Sequence, residues 1–320
     1  MQIYGDNVRF GIHSGQLHGS YDVCVRLWRT AERLGYDWVS LIDHLRPHLY
    51  APDQPCFEGT TLLAALAGVT SRIRCAILVT SATWRHPAVT ASVAATIDHI
   101  SGGRLELGMG AGGPDRAHAQ YGLPFPAPRE RLERLDEACR ILRMLWSQDT
   151  STFDGRHFQL SDACLAPKPL QAHLPLVIGG DGLKTRRIAA EHGDIWNALA
   201  DTPEAYRAKA EAFDEQCAAV GREPADVRRS VTFRAVLVER EEQLPGRAAE
   251  LLDGVHDEVR AEYLSFGTAE QCVEDLKPYV DLGVRDFLLA VKSPIDWLTV
   301  ELVATRVAPA LKEYAGLSRR

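Results

Sequence analysis

Three short runs of this chain carry residue types suited to chemistry. Asp43-His44 sets a carboxylate beside an imidazole directly after an apolar strand pattern. A histidine in a cleft titrates near neutrality and can pass a proton to or from a substrate oxygen or nitrogen. The same residue could instead cap a helix end or bond a neighbouring loop. Gly179-Gly180-Asp181-Gly182 runs into Lys184, Thr185, Arg186 and Arg187 at the start of a helical pattern. Backbone N–H groups and the helix dipole make an anion site there, and the basic residues add donors. The plainer alternative is a glycine-rich turn with solvated basic side chains. Gly108, Gly110 and Gly112 alternate at the end of a strand pattern. Without Cβ atoms, that strand end lets a flat ligand lie against the backbone, or it serves only as a barrel corner. The run is not read as a dinucleotide fingerprint.

The elements that must position these runs alternate along the chain. Apolar patterns predict strands over 8–12, 38–42, 74–79, 105–109, 176–178, 194–198, 231–239 and 285–291. Helical periodicity fills the intervals at 21–34, 60–69, 87–100, 129–146, 184–192, 203–220, 269–282 and 297–314. Two stretches break the rhythm and read as insertions: 150–171, with FDGRHF as a hairpin, and the charged 240–266. Eight β-α units predict one domain, an α/β (β/α)8 TIM barrel with insertions. A doubly wound open sheet is the runner-up.

In such a barrel, chemistry belongs at the carboxyl ends of the strands. Those ends present His13 and Gln16, Asp43-His44, Thr80-Ser81, Gly108 to Arg116, Gly179 to Gly182, Trp196-Asn197 and Lys292. His99 and Arg104 fall on the opposite face, where Arg104 is expected to tie helix ends together.

Composition narrows the class. The 320 residues carry a net charge of −7, which argues against a nucleic-acid binder. No apolar run reaches membrane-span length. The first residues do not read as a signal peptide. Seven scattered cysteines without a CxxC fit reduced thiols in a cytoplasm. No His/Cys spacing suggests a metal.

With these residues in place, the chain resembles the luciferase-like monooxygenase superfamily along nearly its whole length. The resemblance rests on AERLGYDWVSLIDHL (31–45), RHPAVTASVAATIDHISGGRLELGMGAGG (85–113), ERLERLDEACRILRMLW, FDGRHF, APKPLQ, and LPLVIGG followed by TRRIAAEHGDIWN. One branch of that superfamily uses reduced FMN with oxygen; the other uses the deazaflavin coenzyme F420 for hydride transfer. Asp43-His44, TSATWRHP and APKPLQ resemble the deazaflavin branch. The resemblance implies an F420-dependent oxidoreductase of small organic molecules, a homodimer, with FMN-dependent monooxygenation as the alternative. It makes His44 and Asp43 catalytic; Asp43 would set the histidine tautomer or hold a cofactor hydroxyl. Ile77-Leu78 would form a bulge behind the cofactor ring, often through a cis non-prolyl peptide. Asp43, Thr80, Gly110, Gly112, Gly179, Gly180, Asp181, Gly182, Lys184 and Thr185 would complete the cofactor site. His13, Gln16, His48, Arg116 and Trp196 would face substrate. The chain departs from the family at His48, where tryptophan is usual, and after the fourth-strand glycines, where a glutamate is absent.

Overall fold

The computed structural model describes residues 4–13, 16, 17, 19–47, 54–113, 116–253, 255, 260 and 263–317. In chain order the strands are β1 (Arg9–His13), β2 (Trp38–Leu41), β3 (Arg74–Ser81) and β4 (Leu105–Gly110), then a hairpin of β5 (Ser151–Asp154) and β6 (Gln159–Ala163). They continue with β7 (Leu176–Gly179), β8 (Ile195–Leu199), β9 (Arg228–Leu237), β10 (Tyr263–Gly267) and β11 (Val284–Ala290). Eight of them close a parallel barrel in the order β1-β2-β3-β4-β7-β8-β9-β11 and back to β1. This is the (β/α)8 barrel that the alternation predicts.

The helices packed around it are α1 (Tyr21–Leu34), α2 (Gly59–Gly68), α3 (Pro87–Ser101), α4 (Arg116–Gln120), α5 (Pro128–Ser147) and α6 (Leu183–His192). After them come α7 (Pro203–Ala219), α8 (Leu244–Leu252), α9 (Ala269–Asp281), α10 (Trp297–Leu302) and α11 (Ala308–Leu317). Local chemistry sets their ends. Ser20 accepts a hydrogen bond from the Val23 N–H to start α1, and Gly35 stops it at φ 82°. Pro87 occupies the first turn of α3, and Gly102 ends that helix at φ 69°.

Three elements were not expected. The short helix α4 spans too few residues to show a period. The 240–266 stretch contains α8 and most of β10, which pairs in parallel with the outer half of β9, Ser265 opposite Ala235 and Gly267 opposite Leu237. The 150–171 stretch does form the hairpin. Glu137 of α5 docks it by accepting N–H bonds from Arg156, His157 and Phe158.

Strand alternation divides the core in two. One face of each strand meets the helices; the other fills the barrel with Trp38, Ala76, Leu78, Val177, Ile195 and Leu288. Below this layer, at the amino-terminal end, Arg9 is held by Asp286 at 2.8 and 2.6 Å and by Glu106 at 2.9 Å. Arg74 also reaches Glu106, and Arg228 reaches Asp286. Arg104, as expected, gathers the carbonyls of Ala67, Thr70, Ile73 and Ser101 at the foot of α2 and α3. The carboxyl end of the barrel is left for the site.

Candidate active site

The turn after β2 carries Asp43 and His44. Asp43 is buried, and its carboxylate is occupied. Thr80 Oγ1 and Arg85 Nη1 both donate to Oδ2 at 2.5 Å, and Arg85 Nη2 donates to Oδ1 at 3.1 Å. Arg85 Nη2 also bonds Glu58, whose other oxygen caps α2 at the Thr61 N–H. These bonds commit both Asp43 oxygens to the protein, so its carboxylate acts as an anchor in this arrangement; the expected cofactor or catalytic role for it has no support from the geometry. Thr80 likewise spends its hydroxyl on Asp43. Neither Arg85 nor Glu58 was singled out from the sequence. The available signal was a charged residue wedged between a strand end and the proline that starts α3.

His44 is half-buried. His13, at the end of β1, lies close enough to feel its charge. His13 Nδ1 is 2.8 Å from Ser40 Oγ. Burial first, then Arg234 and His44, lowers the His13 pKa to about 3, so its ring is neutral near pH 7. Lys292 is lowered too, by burial and then by Arg234. Deeper in the same end, Asn197 Nδ2 donates to Ser230 at 3.0 Å and Thr232 at 3.3 Å. A cavity of about 330 Å³ opens here, between His13, Thr232 and Arg234 on one side and Asp181, Asp201 and Lys209 on the other.

The third strand is bulged as the resemblance implies. Its pairing with β4 jumps from Ile77 opposite Leu107 to Thr80 opposite Met109, and the cis peptide joins Leu78 and Val79, one residue beyond the expected pair. Leu78 faces the barrel interior, whereas Ile77 packs toward the helices. This bulge explains the glycines. A Cβ on Gly108 would stand 2.2 Å from the Ile77 carbonyl oxygen, and one on Gly110 2.5 Å from Val79. A Cβ on Gly179 would stand 2.7 Å from Val79. Gly112 holds φ 78°, and its open side is filled by the Ser81 hydroxyl. The alternating glycines thus make room for the protein's own β3, a reason different from the ligand approach first read for Gly110 and Gly112.

The loop after β7 has the geometry of an anion site. Gly180 sits at φ 130°, its N–H bonded to the Asn197 carbonyl and its carbonyl to the Trp196 indole. Gly182 is the N-cap of α6 and supplies no side-chain cap to the first N–H groups. Thr185 packs over Gly180, and Lys184 is exposed. Asp181 is paired with Lys209 at 2.7 Å. A phosphate fits this cradle: an uncapped helix start, no Cβ at Gly180 or Gly182, and an acid already neutralised.

The expected substrate residues scatter. His13 reaches the mouth. Gln16 does not: it is fully buried, its amide clamping the Ile42 N–H and carbonyl at 2.9 and 2.7 Å. Trp196 is also fully buried, on the helix side of β8, stacked on Phe213 at 4.5 Å. Arg116 is exposed at the first position of α4. His48 lies outside the described residues. A second cleft, about 450 Å³, opens at the amino-terminal face among Tyr4, Asp214, Arg228, Arg229 and Arg285. Three arginines there are engaged: Arg228 with Asp286, Arg229 with Asp214, and Arg285 with the Val280 carbonyl. The carboxyl end of the barrel, with its histidines and helix start, is the candidate site.

Known proteins match this picture. The luciferase-like monooxygenase family model matches residues 7–260. Pyrimidine monooxygenase RutA of Acinetobacter baylyi is 29% identical over 309 residues, covering 93% of this chain and 80% of its own. An F420-dependent glucose-6-phosphate dehydrogenase of Intrasporangium calvum is 28% identical over 298 residues, covering 83% and 87%. Among solved structures, an F420-dependent secondary alcohol dehydrogenase superposes with a TM-score of 0.81 at 20% identity, over 95% of this chain and 99% of that one, a likeness of fold. From its bulged third strand to its glycine loop, this chain belongs to the luciferase-like monooxygenase family, whose members are oxidoreductases.

Proposed function

We propose that the protein is a coenzyme F420-dependent oxidoreductase that passes a hydride between the deazaflavin and a small organic substrate. The observation that carries this reading is that the His44 turn, pinned from several sides, and the uncapped start of α6 after Gly182 both follow parallel strands of one barrel, at its carboxyl end. F420-dependent relatives in sequence and in fold support it.

In this reading Gly180, Gly182 and the first N–H groups of α6 hold the cofactor phosphate, helped by Lys184 and Thr185. The bulge at Leu78–Val79 backs the ring. The deazaflavin, when bound, supplies two-electron hydride chemistry that the protein positions and shields. His44 takes or gives the accompanying proton at a substrate oxygen or nitrogen. His13, held neutral, stays available as a hydrogen-bonding wall of the pocket. The reading includes a cytoplasmic homodimer.

The test is equilibrium binding of purified apo-protein to F420 and to FMN, followed by cofactor fluorescence. The expected result is at least tenfold tighter F420 binding, a difference of about 1.4 kcal/mol. Equal or tighter FMN binding would move the protein to the oxygen-using, FMN-dependent branch, which the RutA relative represents.

A further inference from the structure

We infer that Arg85 is the positioning residue of this site, holding the Asp43–His44 turn so that the imidazole stands at one place in the mouth. The inference rests on the role proposed for His44.

The turn is held at successive polar groups. Gln16 takes both the N–H and the carbonyl of Ile42. Arg85 and Thr80 take the Asp43 carboxylate. The Trp84 indole donates to the Asp43 carbonyl at 3.0 Å, and Cys56 Sγ donates to the His44 carbonyl at 3.4 Å. Among these holders, Arg85 alone joins three elements. Its guanidinium binds Asp43 at the end of β2, Thr80 at the end of β3 (3.2 Å) and Glu58 at the start of α2. A planar fork of five N–H donors suits that task, and an ammonium does not reproduce it. Its neighbour Trp84 is fixed independently, stacked on the His118 ring at 4.0 Å, while His118 Nε2 lies 2.9 Å from Thr83 Oγ1. The loop between β3 and α3 therefore grips the turn twice, once by its indole and once by its guanidinium. Removing the guanidinium leaves Asp43 and Glu58 as two carboxylates with no cation between them. The turn must then move to rehydrate Asp43, and His44 moves with it.

The test compares wild type, Arg85→Lys and Arg85→Met without substrate or cofactor. Two readouts follow His44: its imidazole NMR resonance against pH, assigned with His44→Asn, and its rate of carbethoxylation, mapped by mass spectrometry. Among the described residues, the charged and titratable groups near it are Asp43 and Arg46 on its own turn, Glu58, Arg85 and His13, with Arg234 and Lys292 beyond His13. Loss of the Arg85 cation leaves the acids in excess, so the His44 midpoint moves upward. Carbethoxylation is expected to accelerate about threefold or more in Arg85→Met, with Arg85→Lys between it and wild type. Arg143→Met is the control. It breaks a 2.6 Å pair with Asp194 away from the mouth, so it costs stability without touching the turn. A His44 midpoint and rate unchanged in both Arg85 variants would overturn the inference. So would an equal change in Arg143→Met, which would show a general loss of stability. If Arg85→Met does not fold, Arg85→Lys alone decides by the same readouts. Failure of the F420 reading would appear in the cofactor titration and leave these readouts intact.

Discussion

At the scale of single residues, Asp43 and His44 are neighbours with different work. The Asp43 carboxylate is spent on Thr80 and Arg85, which makes it an anchor in the protein's interior. His44 is the proton carrier in the proposed reading. Replacing it with asparagine keeps a polar group of similar reach that cannot titrate. His44→Asn should lower turnover by about 10²–10⁴-fold, the usual contribution of a positioned acid or base. F420 affinity should stay near wild type, because the proposed phosphate cradle lies at α6. Steady-state rates across pH check this: the variant should lack one limb of the wild-type profile. An unchanged profile at unchanged rate would reduce His44 to a loop residue.

At the scale of elements, the site depends on a strand that does not run straight. The β3 bulge pushes Val79 toward β4 and β7, and both strands answer with glycine. Gly110→Ala should therefore lower stability by about 1–3 kcal/mol, the usual cost of overpacking a filled interior. Val79→Ala removes the methyl that the new Cβ would strike. In the double variant part of the loss should return, a coupling that urea denaturation of the four proteins of the cycle can read. Strict additivity would show that Gly110 serves some purpose other than clearance for Val79.

At the scale of the whole molecule, the two ends of the barrel are built differently. Arg9, Arg74, Arg228, Glu106 and Asp286 plug the amino-terminal end with ion pairs, and Tyr4 closes over them by donating to Glu106 at 2.8 Å. Burial alone would raise the Glu106 pKa; Arg9 and Arg74 outweigh it and hold the acid at about 2. An unfolded glutamate titrates near about 4.3. The folded value is the lower one. The stabilisation is thus fully present above about pH 4.3 and fades as pH falls from there toward 2. It amounts to about 3 kcal/mol at neutral pH by that linkage. Glu106→Gln should lower the urea midpoint at pH 7 and flatten the loss of stability between pH 4.5 and 2, both on the order of this amount. Parallel pH profiles for the two proteins would remove Glu106 from the account.

Much of this could be read along the chain, because it is written in neighbours. Apolar periods, Ser20, Pro87 and the glycines after helices mark eight β-α units, and eight such units have one common way to close. FDGRHF marks a hairpin by its own turn chemistry. Position at a strand's end brought Asp43, His44, His13 and the Gly179–Gly182 loop to one rim, since parallel strands all deliver their carboxyl ends to the same side. Tertiary structure decided what each of those side chains meets. Asp43 finds Arg85 42 positions away, and Arg9 finds Asp286 277 positions away, through a register that no local pattern contains. Packing also buried Gln16, in the loop after β1, and Trp196, the second residue of β8, although the strand pattern set both at strand ends where substrate residues belong. It also gave the β4 glycines their reason, a bulge on the adjacent strand. A period of two or of 3.6 tells which face a residue takes; only the pairing of strands distant in sequence tells what stands opposite.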